Sequence, residues 1–116
     1  MILKPGVNMS GVQPEILRAM ADIHATMEAT GEFTLTACLD GKHKATSLHY
    51  KGLAVDIRSK HMGTMLKLKT LNDLRSILGP DFDVLLEGEG TENEHYHLEW
   101  DPKDRPLKIT PTVNND

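Results

Sequence analysis

The stretch Ser47-Leu-His-Tyr-Lys-Gly-Leu-Ala-Val-Asp56 sets a histidine and an aspartate seven positions apart, with Gly52 and the small Ala54 between them. From Leu53 to Arg58 it reads as a strand. Leu53, Val55 and Ile57 fall on one side, and Ala54, Asp56 and Arg58 on the other. The apolar side belongs to a core, so Asp56 faces away from it. About forty residues on, Glu94-His-Tyr-His-Leu-Glu-Trp100 has the same parity. His95, His97 and Glu99 share one face; Tyr96, Leu98 and Trp100 share the other and fit the interior.

The remaining chain supplies a scaffold for these two stretches. Pro14 suits the first turn of a helix, where its missing N–H costs nothing. Ile16, Leu17, Met20, Ile23 and Met27 then follow at helical spacing, and Gly31 closes a helix over 14–29. Phe33–Cys38 alternates as a strand, and Asp40-Gly41 signals a turn. A second helix is predicted over 62–78, with Met65, Leu68, Leu71, Leu74 and Leu78 buried and Lys67 among the solvated residues; Gly79-Pro80 stops it. Phe82–Glu87 and His95–Trp100 complete about four strands. Gly88–Asn93 reads as a mobile acidic loop, and residues 1–12 and 101–116 as irregular. The expected fold is α+β, a single domain over 1–116, with an antiparallel sheet carrying two main helices on one face.

Composition limits the function. The chain has 116 residues, 39% apolar and 26% charged, and a net charge of −4. That is ordinary for one soluble domain and argues against a nucleic-acid partner, which calls for a basic face. No apolar run approaches the ~20 residues that cross a bilayer, so no membrane insertion is expected. No charged segment followed by an apolar one marks an export signal at Met1-Ile-Leu-Lys, which points to synthesis in the cytoplasm. The single Cys38 cannot form an internal disulfide. A monomer is expected.

His49, Asp56 and His97 offer two imidazoles and one carboxylate, the ligand types of a catalytic zinc that keeps one position open. Such an ion lowers the pKa of a water and polarises a carbonyl oxygen. A carboxylate must then carry the proton to the leaving amine. Glu94, three residues before His97, is the first candidate; Glu92 has the same spacing to His95, and Glu87 precedes the acidic loop. His95 is placed to donate a hydrogen bond to a developing oxyanion.

The pattern Ser47-x-His49-x-x-Gly52-x-Ala54-x-Asp56 followed by His95-x-His97 resembles the zinc peptidases that include D-Ala-D-Ala carboxypeptidases and L-Ala-D-Glu endopeptidases. These share a fold with the hedgehog signalling domain. The likeness is greatest to small phage-encoded members and covers nearly the whole chain, from a Lys-Pro-Gly start to a final His-x-His-x-Glu-aromatic-Asp-Pro. It implies Zn2+ ligands at His49, Asp56 and His97 and hydrolysis of peptidoglycan stem peptides, at the cell wall or from within a virion. Many members carry a substrate-binding arginine upstream of the motif. Here Ala37–Lys44 has none, which leaves Lys42 or His43 to take its place, with Ser47 beside the ligands. The alternative reading is a non-catalytic, zinc-stabilised module on the same fold that binds cell wall or protein.

Overall fold

The computed structural model describes residues 1–41, 43 and 46–102. Pro14 opens helix α1 (Pro14–Glu28), which buries Ile16, Ala19, Ile23 and Met27. Helix α2 (Thr64–Leu78) ends at Gly79, whose φ of +80° favours a residue without a side chain. Between and after the helices run β2 (Thr34–Ala37), β3 (Ala54–Arg58), β4 (Phe82–Glu87) and β5 (His95–Trp100), all preceded by a short β1 (Ile2–Leu3). A single 3-10 turn, Leu48–Lys51, leads into β3.

The sheet has five strands in the order β1-β2-β3-β5-β4. It is mixed, not antiparallel as the sequence suggested. β2–β3, β3–β5 and β5–β4 are antiparallel, but β1 runs parallel to β2. The extra strand is two residues long, too short to show any alternation. It is held by backbone bonds from Ile2 N–H to the Phe33 carbonyl (2.8 Å) and from Lys4 N–H to the Leu35 carbonyl (2.9 Å).

Both helices cover one face of the sheet. Ile16, Ile23 and Met27 of α1 and Leu71 and Leu74 of α2 join Val55, Ile57, Val84, Tyr96 and Leu98 in one core. Strand parity therefore divides the molecule as predicted, with apolar residues toward the helices and Asp56, His95, His97 and Glu99 toward the open face.

The buried face of α2 is turned from the expected one. Leu71 and Leu74 are buried and Leu78 packs against the core, but Met65 is 87% exposed and Leu68 46%. Lys67 and Thr70 are buried instead. The reason is polar. Lys67 meets the carboxylate of Glu94 in the interior, and its carbonyl accepts a hydrogen bond from the Tyr96 hydroxyl.

Among the described residues, no helix is long and apolar enough to cross a membrane. Lys42 and residues 103–116 lie outside the described residues, as do the expectations that fell on them.

Candidate metal centre

Asp56 and His97 reach the same point because their Cα atoms are register partners on β3 and β5. His49 arrives from the 3-10 turn. Ser47 caps that turn, its hydroxyl accepting the His49 backbone N–H at 3.2 Å. Gly52 ends the turn with φ +73°. A Cβ there would stand 2.2 Å from the Gly11 carbonyl oxygen, so only glycine fits the crossing. The Gly52 carbonyl in turn accepts Gln13 N–H at 3.0 Å and anchors the turn to the start of α1.

Three side-chain atoms close a triangle. His49 Nε2 lies 3.2 Å from both His97 Nδ1 and Asp56 Oδ1, and His97 Nδ1 lies 3.0 Å from Asp56 Oδ1. All three residues are largely or wholly buried. A tetrahedral ion with bonds of ~2.0–2.1 Å sets its ligand atoms about 3.3 Å apart. The triangle is therefore close to one face of such a tetrahedron before any ion enters.

The outer nitrogens of both rings are already committed. His49 Nδ1 donates to the Cys38 carbonyl at 2.6 Å, and His97 Nε2 donates to Glu99 Oε1 at 2.7 Å. Each bond fixes a tautomer and leaves the inner nitrogen with a lone pair aimed at its neighbours. Two lone pairs and a carboxylate oxygen in contact repel unless something positive joins them. The group can thus hold a metal ion, and its donors (two imidazoles and one carboxylate) suit a borderline-soft divalent cation.

Without a metal, a proton plays that part. Burial disfavours the His97 imidazolium, but hydrogen bonds to Asp56 and Glu99 outweigh it and raise the pKa to about 9. Burial likewise opposes charge on Asp56, yet hydrogen bonds from His49 and His97 hold its carboxyl well below the usual range.

A cleft of about 680 Å³ opens over the triangle. His43 borders it, stacked on the His49 ring at 3.9 Å between centroids, with Nε2 2.8 Å from the Asp40 carbonyl. Ser47 also borders it, but its hydroxyl serves the turn. On the opposite wall His95 Nε2 stands 3.1 Å from Glu87 Oε1 and 3.7 Å from Asp56 Oδ2.

Two expected participants are elsewhere. Glu94 faces the interior, where its carboxylate accepts hydrogen bonds from Lys67 Nζ (2.8 Å), Ser59 Oγ (2.6 Å) and Gly90 N–H (3.0 Å). Burial alone would raise its pKa, but these bonds prevail and lower it to about 2. A carboxylate so held is a poor proton acceptor. Glu92 borders a separate small recess, and its carbonyl accepts Lys60 Nζ at 3.0 Å. Glu87 and Glu99 are the glutamates that border the cleft. The acidic loop is tied back through the Gly90–Glu94 bond and through Thr91 Oγ1 to the Gly88 carbonyl.

Glu99 and the Cys38 carbonyl, which hold the outer nitrogens of the two rings, are not among the site residues expected from the sequence. Parity put Glu99 beside His97, which was signal enough; the Cys38 contribution is a backbone carbonyl and leaves no mark in the residue types. The thiol itself is buried, and that burial pushes its pKa up to about 11.

These features define an α+β domain with a preformed candidate metal centre at the floor of a cleft. Comparison with protein-family models, with curated proteins and with solved structures returns no match.

Proposed function

We propose that the protein is a zinc metallopeptidase of the D-Ala-D-Ala carboxypeptidase and L-Ala-D-Glu endopeptidase type, hydrolysing stem peptides of bacterial peptidoglycan. The observation that carries this reading is the closed triangle of His49 Nε2, Asp56 Oδ1 and His97 Nδ1 at the floor of an open cleft. It supports the reading because the motif resemblance names the same three residues from sequence alone.

His49, Asp56 and His97 would hold the ion, and two neutral rings with one carboxylate leave it a net positive charge. Bound there, zinc supplies a Lewis acid that polarises a carbonyl and acidifies a water. The chain supplies the rest. Glu87, partly exposed at the cleft wall, accepts the proton from the attacking water and passes it to the leaving amine. His95 orients Glu87 through the 3.1 Å contact. Glu99 keeps the His97 ring in the one tautomer that presents Nδ1 inward.

The deciding experiment is mass analysis of purified peptidoglycan after incubation with zinc-loaded protein. New fragments, each gaining one water at a stem-peptide bond and absent after chelation, are expected. Intact peptidoglycan at full zinc occupancy would end the peptidase reading.

A second reading is favoured by one observation, the capture of Glu94 by Lys67. With the glutamate three residues before His97 removed from the cleft, the same centre could serve a zinc-stabilised binding module. Hydrolysis that disappears in Glu87→Gln excludes it.

A further inference from the structure

The ladder between β4 and β5 ends at the pair Glu87 and His95. The Asn93 carbonyl lies beyond it and has no place in the ladder. His95 Nδ1 takes that carbonyl instead, at 2.5 Å. A carbonyl only accepts, so Nδ1 carries the proton. Nε2 then faces Glu87 Oε1 at 3.1 Å and Asp56 Oδ2 at 3.7 Å. The direction in which His95 presents Nε2 to the cleft is therefore set by one backbone oxygen.

Thr91 grips that oxygen's peptide from both sides. Its hydroxyl accepts the Asn93 N–H at 3.2 Å and donates to the Gly88 carbonyl at 2.6 Å. Its own carbonyl accepts the Glu94 N–H at 3.3 Å, and that N–H shares one rigid plane with the Asn93 carbonyl. Gly88 closes against the same atoms. With φ at +65°, a Cβ there would stand 3.0 Å from the Asn93 oxygen and 3.1 Å from Thr91 Oγ1. The loop is moored to the body at two further points. Gly90 N–H reaches the Glu94 carboxylate, which Lys67 holds in the interior, and Lys60 Nζ reaches the Glu92 carbonyl.

We infer that Thr91 is a positioning residue for His95: it holds the Asn93 peptide, whose oxygen fixes the imidazole with Nε2 turned to Glu87 and the cleft. Thr91 is itself exposed, so its burial gives it no other part in the fold. Asn93 acts through its backbone alone, and its side chain is dispensable for this role. The part His95 plays in hydrolysis rests on the peptidase reading; the orientation of its ring does not.

The test follows the ring of His95 by NMR in the nitrogen-15-labelled, zinc-loaded full chain. Wild type is expected to show a His95 Hδ1 resonance protected from exchange with water, with Nδ1 as the protonated nitrogen. Thr91→Val keeps the shape of the side chain and removes the hydroxyl. It should speed Hδ1 exchange about fivefold, the equivalent of one ordinary hydrogen bond, and lower kcat on muropeptides by a similar factor with KM within about twofold. Zinc stoichiometry and the unfolding midpoint should stay as they are. Thr91→Ser, which keeps the hydroxyl, should restore the resonance and kcat together, and Asn93→Ala should leave the resonance unchanged. Gly88→Ala, which presses on the same oxygen with Thr91 intact, carries the test if Thr91→Val does not fold; it too should expose Hδ1. A ring signal in Thr91→Val identical to wild type, one that Thr91→Ser fails to restore, or one lost in Asn93→Ala overturns the inference. If the resonance responds as expected while wild type leaves peptidoglycan intact, the peptidase reading falls and the clamp on His95 stands.

Discussion

Asp56 and His97 face each other across two antiparallel strands, with Oδ1 and Nδ1 3.0 Å apart and the Nε2 of His49 3.2 Å from both. Two of the three donors thus come from adjacent inner strands of the sheet. The third comes from a turn held by a serine cap and a glycine that admits no substitute. Such a site is organised by the fold and not by the ion.

Zinc is expected to bind one ion per chain and to stabilise the native state. At about 100 times Kd it adds about 2.7 kcal/mol. His49→Ala, Asp56→Asn and His97→Ala should each abolish stoichiometric binding. Glu99→Gln, which disturbs only the outer nitrogen of His97, should weaken it by about tenfold to a hundredfold. Competition with a chromophoric chelator, read beside a thermal melt, measures both.

The pH dependence of stability should have opposite signs with and without metal. In the metal-free protein the pKa of His97 is raised from 6.5 to about 9. Its contribution is therefore complete below pH 6.5 and is lost as pH rises through 9. Zinc must displace that proton, so its affinity should climb over the same interval, with close to one proton released per ion at pH 7 to 8. Urea titrations of both forms at pH 6 and 9, with calorimetry in buffers of different ionisation enthalpy, check the signs.

Glu94→Gln should damage the fold before it damages any chemistry. It leaves the buried Lys67 ammonium without its counter-charge, at a cost of about 3 kcal/mol. Replacing both partners, by Lys67→Met with Glu94→Leu, should recover most of the loss. Because the Glu94 pKa is lowered from 4.5 to about 2, the pair's contribution is complete above pH 4.5 and is lost as pH falls through 2. Equilibrium unfolding of the single and double variants gives the coupling.

Gly52→Ala should destabilise by more than about 2 kcal/mol. It combines a left-handed φ of +73° with a Cβ 2.2 Å from the Gly11 oxygen. Since His49 lies in the turn that Gly52 closes, zinc affinity should fall with stability. A variant that melts like wild type would show that the turn and α1 can separate freely.

Glu87→Gln should lower kcat by about a hundredfold to ten-thousandfold while leaving zinc content and unfolding midpoint unchanged. Glu92→Gln, whose side chain borders the recess and not the cleft floor, should have a far smaller effect. Steady-state rates on isolated muropeptides, with metal analysis of the same samples, separate the two.

Strand parity was readable in advance because period two is unambiguous over six residues with Tyr96, Leu98 and Trp100 on one side. It placed Asp56, His95 and His97 on the open face, and the triangle followed. Helix α2 was harder. Its leucines and methionine outnumber the space beneath it, and only the distant Glu94 explains why Lys67 turns inward while Met65 turns out. The same pairing removed Glu94 from the cleft, which spacing to His97 could not foresee. β1 was missed because two residues beside Pro5 and Gly6 carry no pattern; its existence depends on the edge of β2.

That short edge strand has a practical side. By docking on β2 it delivers Lys4 to the rim above the metal ligands. A polyhistidine tag fused ahead of Met1 would begin only three residues, about 10 Å, from that rim, close enough for its imidazoles to vie for the ion. Zinc stoichiometries are best taken after such a tag has been cleaved away.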